Sequence, residues 1–99
     1  MELTPEQIAQ FEEDGYLIFP ELFSPEETAV LKAEAARVSQ IDAECIFREG
    51  EAQLAKSMFR LHEADGPTAS SAYRAASRSP RVLRVAQQVL GDDALYLHH

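Results

Sequence analysis

A chain of 99 residues with 45% hydrophobic side chains has room for one domain and only a modest core. Its formal charge of -8 excludes the basic footprint that nucleic-acid phosphates demand and disfavours anionic membranes. No apolar run approaches the roughly 20 residues of a membrane span, and Met1-Glu2 opens without the basic region of a signal peptide. Cys45, the single cysteine, permits no internal disulfide, so a cytoplasmic protein is expected, with Cys45 a small packed side chain rather than a nucleophile.

In chain order, Leu3 to Leu31 carries the densest boundary signals. Thr4 is a good N-cap, Pro5 fits the first helical position, and Gln7 completes a capping box, with Leu3 and Ile8 as the hydrophobic staple. This helix is predicted to reach Asp14, where Gly15 supplies a positive-φ stop. Tyr16 to Phe19, aromatic and β-branched and bounded by Pro20, reads as a strand, and Tyr16, Phe19 and Phe23 read as core packing rather than a ligand-stacking cluster. Ser24, Pro25 and Glu27 then start a longer helix to about Ser39, with Glu26 and Glu27 placed to favour the positive end of its dipole. Glu12 and Glu13 read as solvated.

Cys45 to Arg48 and Lys56 to His62 read as two antiparallel strands joined across Glu49-Gly50, with Met58 and Phe59 turned to a core and Arg60 to water. Helix propensity in Glu51 to Ala55 competes at the turn. Thr68 to Ala76 is predicted helical with Tyr73 inward. In the next helix Ser79 caps, Pro80 starts, and Val82, Leu83, Ala86, Val89 and Leu90 form an apolar stripe ended by Gly91. Leu95 to Leu97 then begins a strand. Such a strand needs partners that few others in the chain can supply, so these residues are expected to be part of a longer protein.

Charge is unevenly spread. From Glu2 to Glu34 the only basic residue is Lys32, whereas Gly66 to Gly91 holds Arg74, Arg78, Arg81 and Arg84 and no acid. One reading is a site for an anionic substrate such as a CoA thioester; the other is a solvated helix face pairing with the acidic N-terminal half.

Three collinear pieces carry a family resemblance. They are Asp14-Gly15-Tyr16 with Leu17-Ile18-Phe19 and Leu22-Phe23-Ser24; Lys56-Ser57-Met58-Phe59-Arg60-Leu61-His62; and Pro80 to Leu90 followed by Gly91 and Ala94 to His99. Together they resemble the N-terminal part of the phytanoyl-CoA dioxygenase family, which includes the ectoine hydroxylases. The resemblance implies an α+β fold class, with helices and early strands flanking and beginning a double-stranded β-helix (jelly-roll, cupin-like) barrel, truncated before the barrel core. Residues 1–99 would then be the N-terminal portion of a single domain. The parent would be an Fe(II)- and 2-oxoglutarate-dependent dioxygenase that hydroxylates a small organic or acyl-CoA-type substrate.

That chemistry uses two histidines and one carboxylate on iron, leaving positions open for the 2-oxoacid and O2. In the family the first histidine and the carboxylate form a His-x-Asp motif, and no His-x-Asp or His-x-Glu occurs among these residues. The 99 residues are therefore expected to hold no catalytic, cofactor or metal residue, to bind neither Fe(II) nor 2-oxoglutarate, and to be inactive alone. His62 with Glu63 is a poor ligand pair, because adjacent strand residues point to opposite faces. His98 and His99 alternate in the same way. His99 stands where ectoine hydroxylases carry a pocket Gln, which implies a substrate-facing residue; the alternative is an ordinary strand position. Against the whole family reading stands another class of function, a small acidic α+β protein-binding module complete at this length.

Overall fold

The computed structural model describes residues 2–98 and is α+β, with four helices and one two-stranded antiparallel sheet among them. The helices fall where their caps put them. Helix α1 runs Pro5–Asp14; the Thr4 hydroxyl accepts from the Gln7 N–H at 3.2 Å, and the Gln7 side chain accepts from the Thr4 N–H at 2.9 Å. Gly15, at φ 82°, ends it by donating its N–H to the Phe11 carbonyl. Helix α2, Pro25–Val38, opens with the same reciprocal box between Ser24 and Glu27. Helix α3 is Ser71–Ser77, capped by Ser70, and α4 is Pro80–Leu90, capped by Ser79 and closed by Gly91 at φ 68°.

Strands β1, Ile46–Glu49, and β2, Leu54–Met58, form the hairpin. Pairing runs from Ile46 opposite Met58 to Glu49 opposite Leu54, with an irregularity after Phe47 that leaves Lys56 out of register. The expected strand from Lys56 to His62 is thus shifted. It starts two residues earlier because residues 50–53 close a tight turn, in which the Gln53 N–H and side-chain amide both donate to the Gly50 carbonyl. It stops early because Arg60, at φ 69°, turns the chain away just after Phe59 donates its N–H to the Cys45 carbonyl.

Two expected strands do not form. Residues 16–19 and 94–98 belong to no ladder and take no regular secondary structure. Residues 16–19 keep the alternation of a strand, with Leu17 and Phe19 half-buried and Ile18 76% exposed. What is missing is a neighbour to receive their backbone groups. Tyr16 is 59% exposed and is not the core side chain that its aromatic character suggested.

The buried apolar side chains among the described residues are Leu3, Val38 and Ile46. Helix α3 packs between α2 and α4. Polar ties lock the helices: the Tyr73 hydroxyl donates to the Leu31 carbonyl at 3.0 Å, and the Leu3 N–H donates to Gln88 Oε1 at 2.6 Å. Arg48 anchors the hairpin to the end of α2 by donating to the Ser39 and Ile41 carbonyls at 2.9 and 2.8 Å.

Candidate functional site

The strongest electrostatic feature joins the starts of α2 and α4. Pro80 fixes the first turn of α4, which aims Arg81 back across α2 toward the residues preceding it. Arg81 Nη1 donates to Glu27 Oε1 at 2.9 Å and to the Leu22 carbonyl at 2.8 Å, while Nη2 donates to Glu27 Oε2. The guanidinium also lies over the Phe23 ring, 4.8 Å from its centroid. This fork-on-fork pairing holds the Glu27 carboxyl well below the usual carboxylate range, at about 2; the Ser24 N–H strengthens the effect and partial burial opposes it. Arg81 is correspondingly raised by its bond to Glu27.

Of the four arginines in the basic segment, Arg81 therefore pairs with the acidic N-terminal half. Among the described residues no ion pair involves Arg74, Arg78 or Arg84. Residue order alone concealed the specific pair. Glu27 and Arg81 are 54 positions apart, and each already has a local explanation, one in a capping box and the other in an amphipathic helix.

On Phe23 also opens an apolar cleft of about 390 Å³, lined by Phe23, Leu31, Met58, Leu61, Val82 and Leu97. His62 and Tyr73 are its titratable members, and the Tyr73 hydroxyl is already engaged with Leu31. His98 is exposed, its ring centroid 6.0 Å from that of Tyr96. His99, the expected substrate-facing residue, lies outside the described residues. A second, larger cleft of about 950 Å³ opens between residues 42–47 and 59–68. Half-buried Cys45 is part of it, its Sγ 3.3 Å from the Thr68 hydroxyl.

Among the described residues no group of three or more His, Cys, Asp or Glu side chains is placed to hold a metal ion. What the cleft offers chemically is an apolar surface edged by one imidazole. No described helix is long and apolar enough to cross a membrane.

The chain is similar along nearly its whole length to curated proteins named ectoine dioxygenase. It is 36% identical to the one from Nocardia farcinica over 101 residues, covering 98% of the chain and 32% of that relative. The Stutzerimonas stutzeri protein is 30% identical over 97% of the chain, and the Bordetella bronchiseptica protein 33% identical over 97%. The chain spans about a third of the length of these relatives. No family model and no solved structure matches it.

Proposed function

The chain belongs to the phytanoyl-CoA dioxygenase-like proteins as an N-terminal portion, and we propose that it builds the scaffold of an Fe(II)- and 2-oxoglutarate-dependent dioxygenase whose catalytic groups lie in the rest of the parent. The observation that carries this reading is the similarity to dioxygenases over 97–98% of the chain at 30–36% identity. The parent hydroxylates a small organic molecule or an acyl-CoA-type substrate in the cytoplasm, and the barrel that encloses it is a jelly roll. Iron and 2-oxoglutarate would supply the oxidising chemistry there.

The contribution of these 99 residues is mechanical. Capped helices α1 and α2 and the Arg81–Glu27 clamp hold Phe23 and the apolar cleft in place, and residues 16–19 and 95–97 carry the composition of strands that would pair with the rest of the parent. His99 would face substrate in the parent.

Reading the coding DNA onward from the His99 codon tests the proposal. A His-x-Asp and a later histidine are expected in frame, and a stop codon directly after His99 overturns the reading. In the full-length product, iron-dependent succinate formation should vanish when that His-x-Asp is mutated. Undiminished succinate formation would refute the assigned chemistry.

A further inference from the structure

We infer that residues 59–62 form a kinked partition between two clefts of opposite polarity, and that buried Thr68 is the positioning residue that holds the kink. This goes beyond the reading just given and does not depend on it. Past Met58, the last residue of β2, a straight strand would alternate, with Met58, Arg60 and His62 on one side and Phe59 and Leu61 on the other. The chain does otherwise. Met58, Leu61 and His62 line the apolar cleft of about 390 Å³, while Phe59, Arg60 and Glu63 line the cleft of about 950 Å³. The break in alternation falls at Arg60, whose φ of 69° lies in the left-handed region that a β-carbon disfavours. Its effect is to sort charge. Arg60 goes to the cleft that also holds Asp42, Glu44 and Asp65, with its Nε 4.0 Å from Glu63 Oε1, and Leu61 joins Phe23, Leu31 and Val82. Without the kink a guanidinium would enter the apolar cleft, at the desolvation cost of an unpaired charge, and a leucine would enter the acidic one.

An unfavourable φ persists only where the surroundings impose it. Here residues 68–70 pin the chain on both sides of Arg60. The Thr68 hydroxyl donates to the Phe59 carbonyl at 2.7 Å, and the Ser70 N–H donates to the Leu61 carbonyl at 2.9 Å. Phe59 is held at its other end as well, donating its N–H to the Cys45 carbonyl at 3.0 Å. Because the Thr68 proton is committed to Phe59, the 3.3 Å contact between Cys45 Sγ and Thr68 Oγ1 is a thiol donating to the hydroxyl, which fixes the direction of the pin. Thr68 is 1% exposed and Ser70 2%, so both pins are shielded from water. Of the three bonds that hold Phe59 and Leu61, the one from Thr68 is made by a side chain, and substitution can remove it.

Methyl NMR at low temperature tests this without reference to turnover. It is run on the full-length product of the reading frame, or on the 99-residue chain if the frame stops at His99. The Leu61 methyls should show NOEs to the Met58 methyl, its neighbour in the apolar cleft. Thr68→Val keeps the branched shape but removes the hydroxyl, so these NOEs should lose most of their intensity while new ones to the Phe59 ring appear; Thr68→Ser should keep the wild-type pattern. Adding Arg60→Gly to Thr68→Val should restore the Met58 NOEs, because glycine adopts this φ without strain and needs no pin. A Thr68→Val protein with the wild-type pattern would make Thr68 an ordinary buried hydrogen-bonding group and overturn the inference. So would a loss that Arg60→Gly does not restore. Should Thr68→Val fail to fold, Arg60→Gly alone decides. It should keep the Met58 NOEs and raise the folding equilibrium constant by about fivefold in urea melts, since it removes left-handed strain at the cost of one exposed ion pair. A lowered constant would mean that Arg60 is not strained and would overturn the partition.

Discussion

Arg81 concentrates three interactions in one side chain, which makes its surroundings the best place to measure what single residues do. Glu27 has a folded-state pKa of about 2 against an ordinary value of 4.5. A carboxyl whose pKa is depressed on folding contributes stability that is fully present above the unfolded value and lost as pH falls through the folded one. Stability should therefore decline between about pH 4.5 and pH 2, and Glu27→Gln should flatten that part of the profile while lowering stability at pH 7; thermal melts across this range read both effects. Exposure of the pair, with 38% of the Arg81 and 42% of the Glu27 side chain accessible, means that salt should weaken the difference between wild type and variant. Arg81→Lys should be nearly as damaging as Glu27→Gln, because an ammonium cannot serve both carboxylate oxygens, the Leu22 carbonyl and the Phe23 ring together. Thr68 is a different kind of site. It is fully buried, and its hydroxyl donates to the Phe59 carbonyl at 2.7 Å. Thr68→Val should cost roughly 1 to 2 kcal/mol in chemical denaturation, the order expected for losing a buried hydrogen bond.

At the scale of elements, a helix in this chain is a local statement and a strand is not. Thr4 with Gln7, Ser24 with Glu27, Pro5, Pro25 and Pro80, and Gly15 and Gly91 each act within a few residues of the terminus they define, so these three helix starts and two helix stops were readable from order alone. The glycine stops are testable. Gly91 has φ 68° and open space around the position of an added Cβ, so Gly91→Ala meets only backbone strain and should destabilise by about 1 kcal/mol in urea melts. Residues 16–19 and 95–97 have the composition of strands just as clearly, yet no partner strand lies beside them among the described residues. Composition names the kind of element; pairing requires a second segment that order within 99 residues does not supply. The hairpin shows the intermediate case. Its existence was legible from two apolar runs around Glu49-Gly50, but its end was set by positive φ at Arg60, a residue with no intrinsic preference for that conformation. The clamp was illegible for a similar reason, since an ion pair across 54 positions leaves no trace in either local pattern.

The whole molecule is held by few buried groups. Leu3, Val38 and Ile46 are the buried apolar side chains among the described residues, and its radius of gyration is 15.9 Å, above the roughly 13 Å of a compact domain this size. Its extents of 47 × 27 × 26 Å describe an elongated body whose surface is large for its core. Large apolar side chains such as Ile18, Leu90 and Tyr96 stay in water, so they add nothing to the burial that must offset chain entropy. A net charge of -8 adds repulsion that grows as salt is removed. The isolated 99 residues should consequently unfold broadly, with a midpoint below about 45 °C, the lower edge of ordinary mesophilic domains. Moderate salt should raise that midpoint, because screening of the overall repulsion outweighs the weakening of one half-exposed ion pair. Calorimetry and circular dichroism at two ionic strengths decide the matter. A sharp transition well above that temperature would mean that the extended segments find partners within the chain itself, and the body described by these helices and one hairpin would then be self-sufficient.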